Sequence, residues 1–128
     1  GGESMIYFKS ETHKEYTYHF LKKFGLERLE DDRSTGAFCY IAAATYKYDD
    51  FIQVISPDGI DMESIEQYIL KYSSSEAGMI RFALQLYHSE LDDIILSDFI
   101  YGLDPENKWV IIEAIKFRFH ITPPVGSL

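Results

Sequence analysis

Residues 104–119 read Asp-Pro-Glu-Asn-Lys-Trp-Val-Ile-Ile-Glu-Ala-Ile-Lys-Phe-Arg-Phe, and the way this stretch opens and closes decides the class of fold. Asp104 is a favoured N-cap residue, Pro105 suits the first helical position because no helical partner awaits its missing N–H, and Glu106 puts negative charge in the positive first turn. Trp109, Ile112, Ala114, Ile115 and Phe119 make the apolar body of the helix. Lys116 and Arg118 suit its negative end, and Pro123-Pro124 prevent continuation. The stretch is a helix running to about Phe119.

The same signals recur upstream. Ser10 caps a helix running to about Phe24, where Tyr16, Phe20, Leu21 and Phe24 recur at helical spacing and Gly25 stops it. Asp31 or Asp32 caps Arg33 to Tyr46, whose Phe38, Ile41, Ala42 and Thr45 keep a helical period and whose Ala42-Ala43-Ala44 run allows close approach. Phe51 to Ile55 form a short helix ended by Pro57-Asp58-Gly59, and Asp61 caps Met62 to Tyr72. Ser73-Ser74-Ser75 mark a break before Glu76 to His88, which is apolar on nearly all sides and reads as the central, buried helix. Ile94 to Tyr101 allow one or two helical turns before Gly102.

With no convincing strand set, these elements predict an all-α, compact single-domain bundle of about six helices, with Met5 to Phe8 as a short N-terminal strand or arm. Residues 1–4 (Gly-Gly-Glu-Ser) read as an expression remnant before Met5, residues 5–121 as the helical domain and residues 122–128 as a loose tail. The longest uncharged stretch, Ser34 to Tyr46, is 13 residues, short of the about 18 that a membrane-spanning helix needs. Cys39 is the only cysteine, so no intrachain disulfide can form and a reducing, cytoplasmic setting is expected.

Charge placement is more informative than its total. The net charge of −9 is carried by residues 48–107, where thirteen carboxylates face only Lys71 and Arg81, for a local net charge of −11. A field of that sign repels phosphate and favours a basic protein partner. Tyr48, Asp49, Asp50, Asp58, Asp61, Glu63, Glu66, Glu90, Asp92, Asp93 and Asp98 form the candidate partner-binding set. Around its first members, Tyr46-Lys47-Tyr48-Asp49-Asp50-Phe51 combines aromatic anchors with carboxylates at a helix junction, although Tyr46 and Phe51 also fit as core residues.

Catalytic patterns are missing from the sequence. Cys39 lies inside the apolar pattern Phe38-Cys39-Tyr40-Ile41 and reads as a packed thiol. The histidines at 13, 19, 88 and 120 lack metal-helix spacing, and no second cysteine completes a zinc set. Aligning Gly59 with the glycine of a calcium loop puts Val54 and Ile65 at ligand positions, so that match fails. The adjacent acids Asp49-Asp50 and Asp92-Asp93 read as solvated rather than as acid–base pairs. Phosphate-binding glycine loops and the GxSxG elbow are absent too. No enzyme, metal or cofactor is expected.

Asp31-Asp32-Arg33 leading into Ala37-Phe38-Cys39-Tyr40-Ile41, the run Arg81 to Tyr87, and the run Glu113 to Phe119 together resemble a family of short uncharacterised proteins from low-GC Gram-positive bacteria and their phages or mobile elements. The likeness spans most of the chain after Met5 and departs from the family's pattern at Tyr72 to Glu76. It implies a lineage and carries no chemistry. With the acidic segment, it sets the expectation of a non-catalytic inhibitor, of anti-CRISPR or other anti-defence type, that occupies the basic nucleic-acid-binding surface of an enzyme. The alternative expectation is a structural or regulatory partner, as a homodimer, that binds through an apolar helix face.

Overall fold

Five helix starts are fixed by a side chain that accepts a backbone N–H. Ser10 takes that of His13 (3.0 Å), Asp32 that of Thr35 (3.3 Å), Asp61 that of Ser64 (3.2 Å), Ser73 that of Glu76 (3.2 Å) and Asp104 that of Asn107 (2.8 Å). Each such cap is worth about 1 kcal/mol. A computed structural model, which describes residues 6–88 and 94–126, places α1 at Glu11–Lys23, α2 at Arg33–Ala44, α3 at Tyr48–Val54, α4 at Met62–Ile69, α5 at Ser74–Tyr87 and α6 at Pro105–Phe119. Single 3-10 turns stand at Leu29–Asp31, Leu96–Asp98 and Ile100–Gly102. The fold is compact and mainly helical, and none of the described helices is long and apolar enough to cross a membrane.

The hub is α2 rather than the expected α5. Every α2 residue from Thr35 to Ala44 is buried, and α1, α5 and α6 all pack on it. Small side chains at Gly36, Ala37, Ala42, Ala43 and Ala44 let those neighbours approach, while Phe38, Tyr40 and Ile41 fill the space between them. The apolar residues of α5 do cover most of its sides. The 94–103 segment packs on α5 as well: Phe99 lies against Phe82 (5.8 Å between ring centres), and Gln85 donates to the Ile94 carbonyl.

Boundaries move where caps or turns override periodicity. α2 ends at Ala44, α4 ends at Ile69 with Leu70 as its C-cap, and α5 starts at Ser74 because Ser73 and Glu76 form a reciprocal capping box. The serines expected to break the chain thus begin a helix. α3 opens at Tyr48, and Ile55 leaves the expected helix to pair with Ile60 in a two-stranded antiparallel hairpin, β1 (Ile55–Ser56) and β2 (Gly59–Ile60). Gly59, at φ 128°, supplies the backbone conformation the turn requires.

In α6 the buried residues are Val110, Ile111, Ala114 and Phe117. Trp109, Ile112 and Phe119, expected in the apolar body, are 46%, 43% and 54% exposed. The helix is apolar on all sides, so periodicity does not say which side faces in. Residues 6–8 form an arm that makes no strand pairing among the described residues: Phe8 packs on Tyr40 and His13, and the Tyr40 hydroxyl donates to the Tyr7 carbonyl.

Candidate functional site

At the end of α2 the chain turns sharply. The N–H groups of Thr45 and Tyr46 return to the carbonyls of Ala42 and Ala43, and Tyr46 adopts a left-handed conformation at φ 61°. Glycine is the usual residue after a helix C-cap because a Cβ there costs about 1–2 kcal/mol. A bulky aromatic in that position, still 46% exposed, marks strain that the surroundings must hold. They do so through the Ser10 hydroxyl, 2.6 Å from the Tyr46 hydroxyl, and the Lys9 ammonium, 4.4 Å from the ring centre.

Two helices and the segment after α4 converge on this turn. α1 brings Tyr16, whose ring lies 4.7 Å from Tyr48 and 6.4 Å from Tyr46, and Phe20, which stacks on Tyr48. α3 brings Asp49 and Asp50 in its first turn. Tyr72, beyond α4, donates to Asp50 Oδ2 (2.8 Å). Burial and the Asp50 carboxylate together push the Tyr72 phenol well above its ordinary pKa. The result is a cleft of about 300 Å³ lined by Tyr16, Tyr46, Lys47, Tyr48, Asp49 and Asp50. The Lys47 ammonium is engaged by Glu76 (3.6 Å) and lies 5.3 Å from the Tyr72 ring centre. Asp49 is exposed, and its carboxylate has no partner among the described residues. Across Tyr48, a second hollow is bordered by His19, Lys22, Lys23 and Ile52, so the acidic cleft has a basic neighbour.

The candidate set divides in space. Tyr48, Asp49 and Asp50 are together. Asp58, Asp61 and Glu63 lie at the β1–β2 turn and the start of α4, the length of α3 away, or about 10 Å. The Ser64 hydroxyl and N–H hold the Asp61 carboxyl below its usual pKa, so that acid serves the helix start. Glu66 pairs with Arg81 (3.5 Å), and Asp98 lies in the 96–98 turn. Glu90, Asp92 and Asp93 fall outside the described residues. Phe51 is fully buried whereas Tyr46 is half-exposed, which splits the two core candidates of the junction.

Sequence reasoning missed Tyr16, Tyr72, Ser10 and Lys9, which come from other elements with no local signal linking them to residue 46. Cys39 is fully buried, and burial pushes its thiol well above the ordinary range. No group of three or more His, Cys, Asp or Glu among the described residues is placed to hold a metal ion. The chain matches no family model, no curated protein and no solved structure.

Proposed function

We propose that this chain is a non-catalytic protein-binding module whose Tyr16–Tyr46–Tyr48 cleft, edged by Asp49 and Asp50, receives a basic side chain of a partner protein. The observation that carries this reading is the strained, exposed Tyr46 at the head of a tyrosine cleft that ends in carboxylates. Aromatic faces and carboxylates attract Arg and Lys together, and strain kept at an exposed aromatic fits a binding role better than a stabilising one. The acidic 48–107 segment adds a long-range field that steers a basic partner. The partner class is a protein with a basic nucleic-acid-binding surface, and the mode of action is occupation of that surface, as in a phage or mobile-element inhibitor.

Tyr46→Asn tests this because asparagine tolerates the left-handed conformation. Its expected effect on unfolding stability is under about 1 kcal/mol. Binding of a basic partner recovered at low salt is expected to weaken at least about tenfold in Tyr46→Asn and in Asp49→Asn/Asp50→Asn, and to fall with added salt. Affinity unchanged by both variants and by salt refutes the reading.

A second reading is favoured by α6, where Trp109, Ile112 and Phe119 are exposed at helical spacing beside the Lys116 ammonium, 6.0 Å from the Trp109 ring centre. Such a face suits a second copy of the chain in a homodimer. Sedimentation is then expected to report a dimer for the native chain and a monomer for Ile112→Glu. Two monomers remove this alternative.

A further inference from the structure

At the other end of α2, about 18 Å from Tyr46 by the length of a twelve-residue helix, lies a cleft of about 480 Å³, within the size range of small-molecule sites. Arg33, the first residue of α2, and Glu113, Lys116 and Phe117 of α6 form one part of its lining. Ile6 of the arm, with His120 and Ile121 just beyond α6, forms another.

The local charge opposes that of the whole chain. Arg33 and Lys116 outnumber Glu113, which is itself 3.7 Å from the Lys116 ammonium, in a protein of net charge −9. The Arg33 guanidinium is held in place: it donates through Nη1 to the Phe117 carbonyl (2.8 Å) and lies 4.6 Å from the centre of the Phe117 ring. That bond uses one of its five N–H groups, and the others have no partner among the described residues. The negative end of α6 is also muted, because the Lys116 and Phe117 carbonyls accept the N–H groups of Ile121 and His120 and the Arg33 guanidinium. A fixed planar cation with free donors recognises carboxylate, while Ile6, Phe117 and Ile121 provide apolar surface beside it.

We propose that this cleft binds a small organic carboxylate with an apolar tail, its head on Arg33 and Lys116 and its tail over Phe117, Ile6 and Ile121. The tyrosine cleft plays no part in it.

Octanoate, octanol and octylammonium, titrated one at a time into the isotopically labelled protein and followed by NMR, test the assignment. The overall charge favours the ammonium, so a preference for octanoate is a local signature of the cleft. Octanoate is expected to move the amide signals of Arg33 and of residues 113–122 and to bind at least about tenfold more tightly than octanol. Lys116→Gln, at a half-buried position, is expected to weaken octanoate a few-fold. Arg33→Lys, which keeps the charge and removes the planar fork, is expected to weaken it about tenfold. Absence of octanoate binding at millimolar concentration, octylammonium binding as tightly at the same residues, shifts centred elsewhere, or affinity unchanged in both variants overturns the proposal.

Discussion

Lowering the pH from 6.5 to 4 is expected to remove about 3 kcal/mol of folding stability through one buried side chain, His13. Its ring is fully enclosed: Nδ1 accepts the Lys9 N–H (3.1 Å), and Nε2 lies 2.8 Å from the Tyr40 carbonyl. Only the neutral tautomer with its hydrogen on Nε2 satisfies both partners, because a second ring N–H would point at the Lys9 N–H. Burial depresses the His13 pKa to about 4, the Tyr40 carbonyl opposes that shift, and the Lys9 charge adds to it. The folded value lies below the ordinary histidine value of 6.5, so the unfolded chain takes up the proton first. The contribution is complete above pH 6.5, declines between 6.5 and 4, and is constant below 4. A 2.5-unit difference at 1.36 kcal/mol per unit gives the figure of about 3 kcal/mol. Carboxyls held low, such as Asp31 and Asp61, act in a separate window that opens as pH falls through 3.8. Urea unfolding at a series of pH values is expected to show the slope in the native chain and to lose it in His13→Gln. An equal slope in both chains refutes the assignment.

That histidine also shows where sequence reading stops. Ser10, Asp61 and Asp104 were legible as helix starts, and Asp32 as one of two adjacent candidates, because a cap is a local event within four residues. His13 and Thr17 share the buried face of α1 with Phe20 and Leu21. A polar side chain at a core position is readable only once its partners, here Lys9 N–H and the Tyr40 carbonyl, are in place. The Ser73–Glu76 box was legible in principle, since S-x-x-E before an apolar run is its signature; the serine run hid it. Helix facing was not legible in α6, where apolar residues surround the axis and only packing against α2 selects Val110, Ile111, Ala114 and Phe117. The same holds for the hub, because only packing shows that α1, α5 and α6 all meet on the small residues of α2.

The candidate site divides along the same line. Tyr46 to Asp50 are consecutive and could be singled out as aromatic and acidic. Tyr16 and Tyr72 join them only through the packing of α1 and the return of the chain after α4. Sequence position likewise kept Asp61 and Glu66 in the candidate partner-binding set, although one caps α4 and the other pairs with Arg81. Charge counts measure supply; caps and ion pairs decide how much of it faces a partner.

Gly36→Ala is expected to cost about 2 kcal/mol, against the usual sign for a helix interior, where alanine is worth about 1 kcal/mol more than glycine. A Cβ at Gly36 would lie 2.5 Å from the Leu29 carbonyl oxygen and 3.2 Å from the Leu29 carbonyl carbon and Cα. These are backbone atoms, so no rotamer change relieves the contact. The turn that carries them is braced: the Asp31 carboxylate accepts the N–H groups of Glu27 (3.2 Å) and Arg28 (2.9 Å), and Leu29 is buried. Either the turn or the start of α2 must shift, and α2 carries Asp32, its cap, and Arg33, which is bonded to the Phe117 carbonyl. The cost is therefore expected to bring small amide-signal changes at Phe117 and His120, at the far side of the Arg33 contact. Leu29→Ala in the same chain is expected to add its own cost without rescue, because the obstruction is the carbonyl rather than the side chain. A stability gain of about 1 kcal/mol in Gly36→Ala would mean that the turn yields freely and that close approach of the 29–31 turn does not fix the start of the hub helix.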